Sequence, residues 1–162
     1  MNILMIPLTQ GEYALIDDVD FPLVSAHKWR SYQHKNTTHA IRILVVDGKR
    51  TTISMHRVLL DAPSGMDVDH WDRNGLNNRR GNLRLCTRSQ NMMNQRVKGG
   101  TSNFKGVHWN KQCRKWYARI QVNGKQIHIG SFADEIEAAQ AYDVASRELS
   151  GEFARLNFND LL

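Results

Sequence analysis

Residues 67–94 read DVDHWDRNGLNNRRGNLRLCTRSQNMMN, and this stretch decides the fold of the chain. Residues 67–75 are typical of a strand that enters a loop. Residues 82–86 alternate apolar and polar side chains, which predicts a second strand antiparallel to the first. Residues 87–90 form a capping-box pattern, which predicts the start of a helix. The stretch therefore predicts a β-hairpin followed by a helix.

A hairpin followed by a helix can bring Asp69, His70 and Asn91 around one point. Carboxylate and amide oxygens are hard donors that suit Mg²⁺, and a neutral imidazole accepts a proton from water near pH 7. Together these groups favour metal-assisted hydrolysis of a phosphodiester. Neighbouring strand residues point to opposite faces, so Asp69 and His70 can share a site only where the strand bends or bulges.

The spacing of the polar residues gives the segment a family resemblance. Asn82 lies twelve residues after His70, and Asn91 lies twenty-one after it. With this spacing the segment resembles the HNH nucleases, in particular the homing endonucleases of phages and introns, whose motif is Asp-His, Asn, Asn. The resemblance covers about residues 53–95 strongly and the β-rich start more weakly. It rests on residues 55–57, 68–70, 76–79 and 82–84.

This resemblance implies a ββα-metal finger with one divalent cation, Mg²⁺ or Mn²⁺. His70 would be the general base, and Asp69 and Asn91 would be the metal ligands. Asn82 would hold the hairpin together by hydrogen bonds. Other branches of the family carry a His where Asn91 stands. We interpret His56 as a structural residue that packs the helix before the finger.

The sequence before the finger is predicted to be β-rich over residues 1–55. Asp47-Gly48 lies between two apolar runs and predicts a tight hairpin. Residues 55–60 predict a short helix that ends before a Pro-Ser-Gly turn. We expect the sheet to bury Trp29, Phe21 and Tyr32.

The sequence after the finger predicts three strands and one helix. Residues 99–103 are small and polar, as in a linker, and Asn123-Gly124 predicts a second tight hairpin. Asp134 is followed three residues later by Glu137, which predicts a helix from Asp134 to about residue 149. Its apolar face is predicted to contain Ile136, Ala139, Ala141, Tyr142, Ala145 and Leu149.

The strand at residues 115–122 alternates basic or polar residues with apolar ones. Lys115, Arg119 and Gln121 are expected on an open face, where Arg can contact guanine, Gln adenine and Lys a phosphate. Residues 104–107, 115–120, 129–132, 137–143 and 156–158 resemble the Apetala2/ERF DNA-binding domain. The resemblance extends from about residue 102 to 158. A plain αβ interaction domain with a solvated sheet is the alternative from composition.

The Apetala2/ERF resemblance implies a three-stranded sheet in the major groove of DNA, backed by one helix. Family-style contacts fall on Lys105, His108, Arg114, Trp116 and Arg119. The plant members carry Arg where His108 stands, so their base preference is not transferred. The role of Trp116 is left open between burial and DNA contact. The alternation along the strand places its side chain inward, whereas the family can use a strand Trp to contact DNA.

The charge distribution favours a polyanionic partner. No carboxylate occurs between Asp72 and Asp134, and thirteen bases fall in that window. Such self-repulsion is costly unless a polyanion neutralises it, and Arg suits phosphate. In the finger the expected DNA contacts are Arg79, Arg80, Arg84 and Arg88.

The composition and the cysteine spacing limit the class of protein that the sequence can encode. The chain has 162 residues, a formal charge of +6 and two cysteines, Cys86 and Cys113, that lack C-x-x-C spacing. We therefore expect no zinc, a reduced intracellular compartment, no signal peptide and no membrane span. The predicted fold is α+β, with an HNH domain at 1–98 (β-rich 1–55, finger about 56–98), a linker at 99–103 and an Apetala2/ERF-like domain at 104–162.

The sequence thus predicts a DNA endonuclease of a phage, prophage or intron, acting on double-stranded DNA in a bacterial or phage-infected cell. The finger would cut, and the second domain would fix it on the duplex. No small-molecule substrate is expected, and the oligomeric state stays open with a monomer favoured. The alternative is a non-catalytic DNA-binding regulator that keeps the HNH fold as a scaffold. An RNA-binding protein lacks support, because no aromatic stacking motif of the RRM type is present.

Overall fold

The computed structural model describes residues 2–34, 37–95 and 99–158. The chain is a mixture of helices and small antiparallel sheets, which confirms the α+β class. It divides into two units, Met1–Thr87 and Arg88–Leu162, which are described separately below. The predicted boundary at residue 98 lies outside the described residues. No helix in the described ranges is long and apolar enough to cross a membrane.

The described residues of the first unit form three antiparallel sheets and two short α-helices. Strands β1 (Ile3–Pro7) and β2 (Tyr13–Asp17) form one hairpin. A three-stranded sheet follows, with β4 at its centre, and consists of β3 (Arg30–His34), β4 (Thr37–Val46) and β5 (Lys49–Ser54). The two helices are α1 (Phe21–Ser25) and α2 (Met55–Leu59).

The β4–β5 turn is the tight hairpin that Asp47-Gly48 predicts. Both residues have positive φ, 50° and 74°, as a two-residue hairpin turn requires. Val46 pairs with Lys49 and, further out, Ile41 pairs with Ser54. This register places Ile41 of β4 opposite Ser54, the residue before α2.

The core of the first unit is built around Trp29. Its side chain is buried and its indole Nε1 donates to the Val24 carbonyl at 2.9 Å. Phe21 and Tyr32 were predicted to be buried beside it, and this is wrong, because they are 45% and 46% exposed. Phe21 opens α1, which buries Val24 instead, and Tyr32 lies on the exposed end of an edge strand. The core cluster consists of Ile6, Leu8, Ala14, Ile16, Val24, Trp29, Ala40, Met55, Leu59 and Leu83.

The finger's two strands form as predicted. Strand β6 (Asp67–His70) pairs antiparallel with β7 (Leu83–Cys86), with Asp69 opposite Arg84. Helix α3 (Arg88–Met93) follows β7 in the chain and is grouped with the second unit. The strand-strand-helix order is therefore present, and the ββα-metal arrangement itself stays a prediction.

Within residues 99–158, the second unit has one antiparallel sheet and one long helix. Its strands are β8 (Val107–Asn110), β9 (Lys115–Val122) and β10 (Lys125–Phe132), with β9 in the centre. Helix α4 (Glu135–Ser150) begins after Asp134, whose carboxylate accepts the backbone N–H groups of Ile136 and Glu137. The Asn123-Gly124 hairpin and the capped helix agree with the sequence analysis.

The buried face of α4 differs from the predicted one. Ile136 and Leu149 are 51% and 46% exposed, so their placement in the core was wrong. The buried positions include Asp143, whose carboxylate accepts the backbone N–H groups of Asn157 and Phe158. Burying this carboxylate rotates the helix relative to the face that hydrophobicity alone selects. The buried residues of α4 are Ala138, Ala139, Tyr142, Asp143 and Ser146.

Gly106, just before β8, lies against α4. An added Cβ there would be 2.0 Å from the Tyr142 ring, and the φ of Gly106 is +77°. Only glycine satisfies both the left-handed backbone and the close approach. This contact seats the sheet on the helix.

Candidate active site and DNA-binding surface

His70 is the buried last residue of β6. Its Nε2 lies 3.4 Å from Oδ1 of Asn78, a fully buried side chain. The Asn78 amide nitrogen donates to the Leu76 carbonyl, so its Oδ1 faces the histidine as an acceptor. The His70 ring therefore carries its proton on Nε2, which leaves Nδ1 as the basic nitrogen of the neutral ring.

Two further imidazoles surround His70. The centroid of the His56 ring lies 5.1 Å from that of His70, and the centroid of the His39 ring lies 5.6 Å from it. Burial lowers the pKa of His70, against the opposing effects of the Asn78 hydrogen bond and of Asp72 and Asp69. Burial also lowers the pKa of His56 to about 3 and that of His39 to about 4. All three rings are therefore neutral at pH 7.

Asp69 lies on β6 directly before His70 and is buried. Its Oδ2 accepts from Arg84 Nε at 2.8 Å and lies 2.7 Å from Arg84 Nη2. The Arg84 guanidinium also lies 4.5 Å above the Trp71 ring. A divalent cation at Asp69 would either share the carboxylate with Arg84 or displace the guanidinium. The donor is of the right chemistry for Mg²⁺, and its present counter-ion is Arg84.

Asn82 crosslinks the loop between the two finger strands. Its amide nitrogen donates to Asp72 Oδ1 at 2.9 Å and to the Asn77 carbonyl at 2.8 Å, and its Oδ1 accepts the Asp72 backbone N–H. Burial acts to raise the pKa of Asp72, but the hydrogen bonds from Asn77, Asn74 and Asn82 together lower it. The loop is thus closed around an ionised carboxylate.

Asn91 lies on α3, within the second unit, and is partly buried. The structure brings His70 together with Asn78, and Asp69 together with Arg84. The role of Asn91 as a metal ligand stays a prediction from the family resemblance.

Three of the finger arginines are held by carboxylates from within the first unit. Arg79 Nε lies 3.1 Å from Asp17 Oδ1, and Arg80 Nη2 lies 2.7 Å from Asp20 Oδ1. Arg84 pairs with Asp69, as described above. The carboxylates that pair with Arg79 and Arg80 lie some 60 residues earlier in the chain. The acid-free stretch of the sequence therefore has acidic side chains beside it in the folded unit. Each of these three arginines forms an ion pair within the unit. Their contacts with DNA stay predictions.

The loop that carries these arginines is also fastened to β2 through its backbone. Leu15 N–H donates to the Leu76 carbonyl and Asn78 N–H donates to the Leu15 carbonyl, each at 2.8 Å. The same strand therefore supports Asn78, which in turn holds His70.

The open face of the sheet in the second unit is polar and aromatic. Arg119 Nε donates to His108 Nδ1 at 3.1 Å, and its Nη1 donates to Gln126 Oε1 at 3.0 Å. Tyr117 contacts the rings of His108 and His128 on the same face. Burial, Arg119 and His128 lower the pKa of His108, which keeps Nδ1 an acceptor. Sequence reasoning named His108 and Arg119 and missed Gln126 and His128.

The other predicted DNA contacts of the second unit have varied surroundings. Lys115 and Gln121 are exposed, and so is Arg114, in the turn before β9. Trp116 has the strand parity of the buried Ala118 and packs against Trp109, with ring centroids 5.1 Å apart. Its inward role thus has contacts to support it. Arg88, Lys105 and Arg119 line a cavity of about 480 Å³, and the Lys105 ammonium donates to the Met93 carbonyl.

His39 was not singled out from the sequence. It lies on β4, where it pairs with Tyr32 of β3, and its ring centroid is 5.4 Å from that of His56. His56 belongs to α2, beyond the end of β5, so the two rings meet because α2 packs on β4. Spacing along the chain does not reveal this contact.

The family model and the relatives cover different shares of the chain. The family model described as HNH endonuclease matches residues 61–93. An uncharacterized HNH endonuclease of Acanthamoeba polyphaga mimivirus is 35% identical over 158 residues, which cover 91% of this chain and 76% of the relative. Protein 3.8 of Escherichia phage T7 is 37% identical over 94 residues, 57% of this chain and 77% of that protein.

A plant relative matches a shorter part of the chain. The dehydration-responsive element-binding protein 2A of Oryza sativa subsp. indica is 41% identical over 69 residues, 39% of this chain and 25% of that protein. APETALA2-like protein 2 of the same plant is 46% identical over 61 residues, which cover 36% of this chain and 14% of that protein.

Proposed function

Because the chain belongs to the HNH endonuclease family, we propose that it is a homing-type nuclease that hydrolyses phosphodiester bonds of double-stranded DNA at selected sites. The observation that carries this proposal is the neutral, buried imidazole of His70, oriented by Asn78 inside the matched segment. HNH nucleases depend on a divalent metal. A neutral imidazole can supply the general base of such chemistry, and a carboxylate can hold its metal.

His70 is proposed as the general base. Nδ1 of the neutral ring accepts a proton from the attacking water, while Nε2–H stays bonded to Asn78. The bond to Asn78 fixes the ring orientation through the transfer, and the charge of Asp72 stabilises the imidazolium that forms. Asn82 contributes by keeping the Asp72 loop closed.

Asp69 is proposed to hold the divalent cation, Mg²⁺ or Mn²⁺, and Asn91 is carried over from the sequence prediction as the second ligand. When bound, the cation neutralises charge on the phosphate and on the leaving 3′ oxygen. Arg84 holds Asp69 in place and competes for the same carboxylate oxygen. Two protein ligands leave most of the coordination shell to water and substrate.

The second unit is proposed to select the DNA site. Its open face offers Lys115, Arg119 and Gln121 together with His108, which combine a phosphate contact with base readout. The rice relative is named as an element-binding protein, and its match falls on 39% of this chain. Site preference would thus reside in a sheet that has no part in hydrolysis.

Cleavage of supercoiled plasmid in Mg²⁺ or in EDTA tests the nuclease. We expect nicking or cutting that requires Mg²⁺ and is lost in His70→Ala, while binding to DNA persists. His34→Ala, at an exposed histidine of β3, is the matched control and should cut normally. A substrate library with varied sequence covers the unknown target. Binding without cleavage on every substrate would overturn the proposal.

A second candidate function follows from the Asp69–Arg84 ion pair. A carboxylate already neutralised by a guanidinium does not need a cation, which favours a DNA-binding regulator with the finger as a scaffold. The plasmid assay separates the two, since the regulator binds DNA equally well in EDTA and never cuts.

A further inference from the structure

Three histidines of the first unit form a cluster that the nuclease proposal uses only in part. His39 comes from β4, His56 from α2 and His70 from β6, and each offers one ring nitrogen. These three nitrogens all lie within 4.8 Å of one another. The ring centroids form a triangle with sides of 5.4, 5.6 and 5.1 Å.

We propose that this three-histidine cluster binds a transition-metal dication of the Zn²⁺ or Co²⁺ class, distinct from the hard cation at Asp69. Imidazole nitrogen is a preferred ligand for Zn²⁺, Co²⁺, Ni²⁺ and Cu²⁺ and a poor one for Mg²⁺. Three imidazoles with an open fourth position are a known tetrahedral arrangement. Neighbouring ligand nitrogens around tetrahedral zinc lie about 3.3 Å apart, so binding would draw the rings closer together.

Two ring nitrogens in the cluster are buried without a hydrogen-bond partner among the described residues. They are Nδ1 of His39 and Nδ1 of His56. A buried polar atom with no partner costs free energy, and native structures rarely tolerate it. A cation bound by the cluster provides the missing partner for a ring lone pair. The prediction of no zinc came from the cysteine pattern, which says nothing about a site made of imidazoles alone.

The surroundings hold the three rings in place. Ala40 and Met55, the neighbours of His39 and His56 in the chain, are fully buried in the core. Gly75 leaves room for the His39 ring, because an added Cβ there would be 2.6 Å from its Nδ1. The three rings, one buried and two half-buried, are thus held by elements whose neighbouring residues lie in the core of the unit.

Occupation of the cluster would have one consequence for activity, which rests on the proposed function. A cation bound to His70 takes the lone pair that the general base needs. Zn²⁺ should therefore inhibit Mg²⁺-dependent cleavage, with the same midpoint as its binding. The binding itself does not depend on the chain being a nuclease.

Visible absorption of Co²⁺ tests the binding directly. The full chain carries Cys113→Ser, because the exposed thiol of Cys113 could otherwise bind metal. After stripping with a chelator, we expect one equivalent of Co²⁺ per chain with the intense bands of tetrahedral coordination. His39→Ala and His56→Ala should each weaken binding by more than about tenfold, since loss of even an outer-shell partner weakens metal sites by about 10- to 100-fold. His34→Ala is the control and should bind as the parent does.

Imidazole NMR of the parent protein covers the case in which a variant fails to fold. One equivalent of Zn²⁺ should shift the ring signals of His39, His56 and His70 and leave those of His27 and His108 unchanged. Octahedral Co²⁺ spectra, binding that survives both alanine variants, or shifts confined to other histidines would overturn the site. Cleavage in Mg²⁺ without transition metal reports on the nuclease proposal alone, so the two proposals fail separately.

Discussion

Replacing Arg84 by methionine separates the two roles that Asp69 could have. The Asp69 side chain is 6% exposed and that of Arg84 is 14% exposed, so Arg84→Met leaves a buried carboxylate without its counter-ion. Breaking a buried ion pair from one side costs about 3–5 kcal/mol, and the lost contact with Trp71 adds up to about 1 kcal/mol. We expect a free energy of unfolding about 3–6 kcal/mol lower in EDTA, measured by urea denaturation.

Mg²⁺ should reverse part of this loss if Asp69 is a metal ligand. Removing the guanidinium leaves the carboxylate to the cation alone, and a ligand present at 100 times its dissociation constant stabilises the fold by about 2.7 kcal/mol. The Mg²⁺-dependent gain in unfolding free energy should therefore be larger in Arg84→Met than in the parent. The control is Arg79→Met, whose partner Asp17 keeps a backbone hydrogen bond from Arg80. Because the Arg79 side chain is 40% exposed and the buried Asp17 keeps that hydrogen bond, the loss should be smaller than in Arg84→Met, with no added response to Mg²⁺.

Two results would refute this reasoning. Full stability of Arg84→Met in EDTA would show that the carboxylate does not depend on its counter-ion. A stability loss that Mg²⁺ restores no better than in the parent would remove Asp69 from the metal site and strengthen the regulator.

Three further predictions concern packing, thiol chemistry and charge. Gly106→Ala should lower the free energy of unfolding by at least about 3 kcal/mol, because the added Cβ meets the Tyr142 ring. Gly11 has a similar φ but open space around it, so Gly11→Ala should cost only about 1 kcal/mol. Equal losses in the two variants would contradict the steric argument. Burial raises the pKa of the Cys86 thiol to about 12, so this thiol stays protonated at pH 8. A disulfide reagent should therefore titrate only Cys113 in the native chain and both thiols after denaturation. The same raised pKa means that stability falls above about pH 9, where the unfolded thiol ionises and the folded one does not. DNA affinity measured by fluorescence anisotropy should fall steeply with salt, with a slope of about −0.9 per phosphate contact, and a flat salt profile would exclude a phosphate-driven interface.

The local elements of this fold were predictable because their signals are short-range. Asp47-Gly48 and Asn123-Gly124 define two hairpins by backbone conformation alone, and Asp134 caps α4 with its own carboxylate. Each of these features is decided within four residues, so no tertiary information is needed.

The features that sequence reasoning missed depend on residues far apart in the chain. The face of α4 is set by Asp143, which receives the backbone of Asn157 fourteen residues later. The partners of Arg79 and Arg80 lie on and just after β2, so the charge window overstated the positive potential of the finger. The contact between His39 and His56 depends on how α2 packs on β4, which composition does not encode.

For the candidate site, individual side chains could be predicted from the sequence more readily than the residues that surround them. His70 was selected from its spacing, whereas its fully buried partner Asn78 was not singled out as part of the site. The assignment of roles to His70, Asp69, Asn82 and Asn91 stays a prediction until cleavage is measured.

The bonds between β2 and the loop of the finger determine which segment of the chain could be transferred to another protein by recombination. Asp17 and Leu15 hold residues 76–80 by ion pairs and backbone hydrogen bonds. A recombination event that transferred only the matched segment, residues 61–93, would leave behind the strand that supports Asn78. The smallest module that could carry the proposed activity therefore combines the first unit with the rest of the matched segment, to residue 93, and grafts onto new DNA-reading domains should join it after that segment.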